Sequence, residues 1–93
     1  MVALLTLHLF IPGCTSLKEK RSHIKPILAR LHREFNISVA EVDRQDQWQE
    51  AIIACALVSS DHGYAQRSLQ NVIDFTEKNW PDLEILEHPI ELI

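Results

Sequence analysis

Ninety-three residues, 46% of them hydrophobic and 24% charged, suffice for one small domain with a core and are too apolar for a disordered chain. The net charge of −4 excludes the strongly basic profile of a dedicated nucleic-acid binder, yet it conceals a split: residues 1–33 carry six basic and one acidic side chain, and residues 34–93 carry three and twelve. No apolar run nears the ~20 residues that span a bilayer. The apolar start, MVALLTLHLF, lacks the basic flank and cleavage site of a signal peptide, and Cys14 and Cys55 lack metal-ligand spacing; we expect free thiols and a cytoplasmic location.

Residues 2–11 alternate. Leu5, Leu7, Leu9 and Ile11 lie on one side and Leu4, Thr6, His8 and Phe10 on the other, which predicts a strand with apolar groups on both faces, ended by Pro12-Gly13. A helix follows, with Ser16 as N-cap and Glu19 as its capping-box partner. Leu17, Ile24, Ile27, Leu28, Leu31 and Phe35 form its apolar stripe, and Asn36 closes it. Pro26 inside this helix cannot donate to the Ser22 carbonyl and predicts a kink. The alternation in NISVAEVD predicts a second strand, RQDQWQE a polar connection, and AIIACALVSS a third strand covered on both faces. Ser59-Ser60-Asp61 offers N-caps for a second helix with the stripe Ala65, Leu69, Val72, Ile73 and Thr76, stopped at Asn79-Trp80-Pro81. The tail DLEILEHPIELI predicts the last strand, at an edge or with a bulge because of Pro89.

The order β-α-β-β-α-β, with right-handed crossovers, predicts an α+β fold: a ferredoxin-like plait over residues 1–93 as a single domain. Its sheet has four antiparallel strands, the first and third central, with both helices on one face. The bare face would show Thr6, His8, Phe10 and one of the two apolar sets of the third strand. An apolar surface of several hundred Å² usually marks a contact. We therefore expect a homodimer through the sheet, with His8, Phe10 and Trp48 as interface candidates; Trp48 is expected to pack back over the sheet edge or to anchor a partner. Base stacking on this face is disfavoured, because Phe10 is the only aromatic residue on the two central strands.

The stretch from Ile11 to Phe35 holds six of the nine Lys and Arg residues. Lys18, Lys20, Arg21, Lys25 and Arg33 are candidates for contacting RNA phosphates or another anionic partner. The amides after Gly13, at the positive end of the helix dipole, would help them. Lys20 and Arg21 fall near the buried edges of the stripe, where their stems can pack while their heads reach water. The five histidines, His8, His23, His32, His62 and His88, contain no i,i+4 pair, so no metal is expected. With two glycines there is no glycine-rich phosphate loop, and no cofactor is expected. Nothing in the sequence places a base beside Cys14, so the reading is a non-enzymatic binding module. The alternative is a homo-oligomeric protein-interaction domain that uses the open sheet and Trp48 and has no RNA affinity.

Three segments recur together elsewhere: SLKEKR at Ser16–Arg21, FNISVAEVD at Phe35–Asp43 and QDQWQ at Gln45–Gln49. In these, and over nearly its whole length, the chain resembles the YlxP-like family of small bacterial proteins of unknown function. The resemblance implies the ferredoxin-like fold. Because such proteins are often encoded beside translation initiation and ribosome-binding factors, it also implies a cytoplasmic role near ribosomes or RNA. It supplies no catalytic residues. Pro26 and Cys14 depart from the family's usual residues.

Overall fold

In the computed structural model, which describes residues 1–93, the alternation of the first segment becomes β1 (Val2–Phe10). It buries Ala3, Leu5, Leu7 and Leu9 and leaves Leu4, Thr6, His8 and Phe10 half-buried on the other face. After the turn at Gly13 (φ +74°), α1 (Leu17–Glu34) begins. The Ser16 hydroxyl accepts from the Glu19 amide at 3.0 Å, which satisfies one of the four unpaired N–H groups of the first turn. The Glu19 carboxylate reaches one residue further back than a capping box requires. It accepts from the Thr15 amide and hydroxyl, both at 3.0 Å. The helix runs without a break through the exposed Pro26. The proline removes one hydrogen bond on the exposed side, where water can serve the Ser22 carbonyl.

β2 (Ser38–Asp43), β3 (Glu50–Val58), α2 (His62–Asn79), β4 (Glu84–Glu87) and β5 (Ile90–Leu92) complete the chain. The strand order is β2-β3-β1-β4, all antiparallel, with β5 also on β1. β1 and β3 are thus central, paired from Val2↔Val58 to Phe10↔Glu50, as the plait requires. The core lies between one sheet face and the two helices. Leu5, Leu7, Leu9, Ile53 and Cys55 meet Ile24, Ile27 and Leu31 of α1 and Ala65, Leu69, Val72 and Ile73 of α2. At the far end Phe35, Phe75 and Trp80 stack edge to face, with centroids 5.3 and 5.9 Å apart. The Arg30 guanidinium lies over Phe75 and Trp80 at 5.1 and 5.9 Å, which fastens α1 to α2.

The tail forms two strands, not one, so the sheet has five strands where the sequence predicted four. Proline has no N–H for a ladder, and the break falls at His88-Pro89. The Pro89 carbonyl still accepts from the Thr6 amide at 3.1 Å, so both halves stay on β1. A register shift between His8 and Leu9 leaves Leu86 as the extra residue of β4.

Both helix starts are held by carboxylates. Hydrogen bonding from Thr15 lowers the Glu19 pKa below its ordinary 4.5, and the Tyr64 amide, donating to Asp61 at 3.0 Å, lowers that of Asp61 below 3.8. A carboxylate whose folded pKa is depressed stabilises the fold fully above its unfolded pKa, and that stabilisation is lost as pH falls through the folded value. The melting temperature should therefore decline as pH drops below about 4.5, and a Glu19→Gln/Asp61→Asn variant should show a flatter acid limb. Thermal melts between about pH 7 and about pH 2.5, a range that brackets the ordinary carboxylate values of about 4, provide the check.

Candidate anion-binding face of the first helix

Lys18, Arg21 and Lys25 stand at i, i+3 and i+7 on α1, all exposed. At about 100° per residue they share one face within about 60° of arc, and they extend about 10 Å along the axis. His32, also exposed, continues the same row. Arg33 is exposed as well, about 60° round from Lys18 and about 22 Å along the helix. None of these side chains pairs with an acid; the ion contacts are His8–Glu50, Lys20–Glu41 and Arg44–Glu50. Of the acids near the row, Glu19 is turned back onto Thr15, and Glu41, which shares a groove with Arg21 and Lys25, is paired with Lys20. A shallow hollow lined by Lys18, Arg21, Ser22, Lys25 and Pro26 runs along the row. Beside it, between α1 and β2, lies a groove of about 290 Å³ bordered by Arg21, Lys25, Leu28 and Gln45.

Lys20 is not part of this surface. It is 2% exposed, and its ammonium sits 2.9 Å from Glu41 Oε2 and donates to the Arg44 carbonyl at 2.5 Å. Its place one turn before Ile24, on the stripe's edge, puts it under β2, and the chain supplies an acid there to meet it. The contact with Glu41 is an ion pair without well-aligned hydrogen-bond geometry, whereas that with the Arg44 carbonyl is a true hydrogen bond. The pattern of β2 contains the signal: Glu41 occupies the inward set with Val39, and an acid among inward positions demands a cation.

The amides after Gly13 do not form an open anion pocket either. The Thr15 amide is taken by Glu19 and the Glu19 amide by Ser16. The chain's own carboxylate fills the place at the positive end of the dipole.

On the bare face of the sheet, His8 Nε2 meets Glu50 Oε1 at 2.7 Å, and Arg44 Nη1 lies 3.7 Å from the other Glu50 oxygen. Glu50 stands opposite Phe10, one diagonal step from His8. The sequence placed His8 and Phe10 on this face but read Glu50 as loop, because the join between RQDQWQE and the third strand is set by pairing, not by composition. Arg44 turns the chain at φ +58°, and its side chain reaches back to this cluster. Trp48 does not pack over the sheet edge. It is 52% exposed in the loop 44–49 and lines a shallow depression with Asp46, Gln47, Gln49 and Glu50. Both cysteines are free and buried; burial pushes the Cys55 thiol up to about 12, so it stays protonated, and Cys14 donates weakly to the Ser16 carbonyl at 3.5 Å. No three His, Cys, Asp or Glu side chains converge as a metal site, and no helix is long and apolar enough to cross a membrane.

Comparison with known proteins bears on kinship, not on this face. Residues 2–90 match the family described as "Protein of unknown function (DUF503)". Over 69 residues the chain is 41% identical to "Uncharacterized protein YlxP" of Bacillus subtilis (strain 168), covering 74% of each sequence. Among solved structures, the de novo designed protein Foldit4 superimposes with a TM-score of 0.62 over 100% of this chain and 99% of its own, at 17% identity, a likeness of fold alone. The matched family and the YlxP relative agree with the resemblance seen in SLKEKR, FNISVAEVD and QDQWQ: the chain belongs to the DUF503 family of YlxP-like proteins.

Proposed function

We propose that the protein is a non-enzymatic binding module that lays the outer face of α1 along RNA phosphates, with ribosomal RNA as the partner. The observation that carries this reading is the row Lys18, Arg21, Lys25: three exposed cations without acid partners, in a chain whose net charge is −4. Six of the nine Lys and Arg residues lie within residues 18–33, where Glu19 is the one acid, whereas twelve of the thirteen carboxylates lie beyond residue 33. Spacing of about 5 Å per turn suits a polyanion with a charge on every unit, and fits a lone small anion poorly. Arg33 extends the surface, while Lys20 contributes to holding the helix and not to the partner.

Fluorescence anisotropy with a short labelled single-stranded RNA, and co-sedimentation with purified ribosomes, test the reading. Binding should weaken steeply with salt. In Lys18→Ala/Arg21→Ala/Lys25→Ala the slope of log K against log salt should shrink by about 2, at about 0.7 for each phosphate no longer neutralised. Arg33→Ala should remove a smaller part. Equal affinity and equal slope for wild type and triple variant would refute the proposal.

A further inference from the structure

The bare face of the sheet has two unlike ends and two unlike edges. At one end of the central strands Val2, Leu4 and Val58 stand together, with Val58 80% exposed. Ile93, 71% exposed, joins them by exchanging both backbone hydrogen bonds with Val2. The middle is flat, made of Thr6, Ala54 and Ala40 side by side across three strands. At the other end lies the His8–Glu50–Arg44 cluster. The β4–β5 edge is acidic: Glu84 stands opposite Phe10, Glu87 opposite His8 and Glu91 opposite Leu4, all on the bare face. The β2 edge presents Ser38, Ala40 and Asp43 there and, beside Asp43 and level with Glu84 and Glu87, the guanidinium of Arg44. That guanidinium is under-used. It is 3.7 Å from its one acid, and its buried Nε has no acceptor.

We infer that this face is closed by a second copy of the chain, related by a two-fold axis that runs parallel to the strands between the two sheets. Such an axis sets apolar end against apolar end. It also places the β4–β5 edge of each copy over the β2 edge of the other, so Glu84 and Glu87 of one copy meet Arg44 of its mate. The other face-to-face two-fold, across the strands, would oppose the acidic edges to each other and the apolar end to the polar cluster. Like charges facing each other across an interface are strongly unfavourable, and so are charges set against an apolar end; the first arrangement, which joins the apolar ends and offers Arg44 to the acidic edge, is therefore selected. Sheets pack about 10 Å apart with strands about 30° off parallel, and flat small residues at the centre permit that approach. With β1 and β3 nine residues long, β2 six and β4 with β5 seven, at about 3.3 Å per residue and about 4.8 Å between strands, the face measures about 500 Å² per copy, so full overlap buries about 1,000 Å², the lower bound for a specific interface. The cation row lies on α1, behind the sheet, so association and RNA binding are separable by experiment.

Sedimentation equilibrium of the full chain tests this. Wild type should weigh twice the 10.7 kDa of one chain, and Ala54→Arg, at the centre of the flat strip, should weigh 10.7 kDa while keeping its far-ultraviolet circular dichroism. Arg44→Glu should raise the dimer dissociation constant by about tenfold or more, and Arg44→Glu/Glu84→Arg/Glu87→Arg should restore it. A wild-type chain that stays monomeric at every concentration, or a folded Ala54→Arg variant that remains dimeric, would overturn the inference. A charge swap that fails to recover association would overturn the axis.

Discussion

Lys20→Met should destabilise the domain by about 3 kcal/mol, roughly six times what an exposed lysine on the same helix would cost. The ammonium is 2% exposed between Glu41 and the Arg44 carbonyl. Removing it leaves a carboxylate, itself only 20% exposed, facing a methionine instead of its counter-charge. It also leaves the Arg44 carbonyl without its donor. Lys20→Met/Glu41→Leu removes both charges together and should return to within about 1 kcal/mol of wild type, because two apolar groups of similar volume avoid the desolvation cost. Urea unfolding resolves the two cases: at a slope of about 1 kcal/mol per molar, the single variant's midpoint falls by about 3 M and the double variant's hardly moves. Arg33→Met, an exposed cation with no acid partner, should stay within about 0.5 kcal/mol of wild type. If Lys20→Met behaved like it, the structural role given to the buried ammonium would be wrong.

Leu7→Ala should cost about 3–4 kcal/mol. Leu7 is fully buried at the middle of β1, opposite Ile53, where the sheet meets the helices. Truncation there leaves a void that flanking strands cannot collapse to fill, so the transfer and cavity penalties add. A domain of this length holds roughly 5–14 kcal/mol in total, so the variant gives up a large fraction of a modest stability and should melt at least about 12 °C lower. Leu4→Ala, on the same strand but half-buried on the bare face, should cost the folded monomer about half as much or less. A similar destabilisation at both sites would mean that the two faces of β1 are equally enclosed.

The difference between Leu7 and Leu4 was readable from sequence, because alternation with period two assigns faces before any partner is known. The same holds for the stripes of both helices and for the Ser16 and Asp61 caps, which are local patterns. Lys20 shows where local reading ends. Its angular position put it near the buried edge, but whether its head reached water depended on β2 lying above it. Trp48 was misplaced for a similar reason. Its size argued for burial, yet it stands 52% exposed in the loop that follows the turn at Arg44. The His8–Glu50 contact needed the β1–β3 register, a long-range quantity that composition does not encode. Lys18, Lys25 and Arg33 were found on the surface because an exposed helix face requires only helical spacing to predict; Arg21, which the same spacing put near the buried edge, is exposed as well.

The interruption at His88-Pro89 also limits how far the molecule can polymerise. An uninterrupted outer strand would offer a row of free amides and carbonyls on which another chain could crystallise, one after the next. Here one border is cut into two short pieces around an imino acid, and the opposite border carries Glu41 tied inward to Lys20. Neither can template a growing fibril.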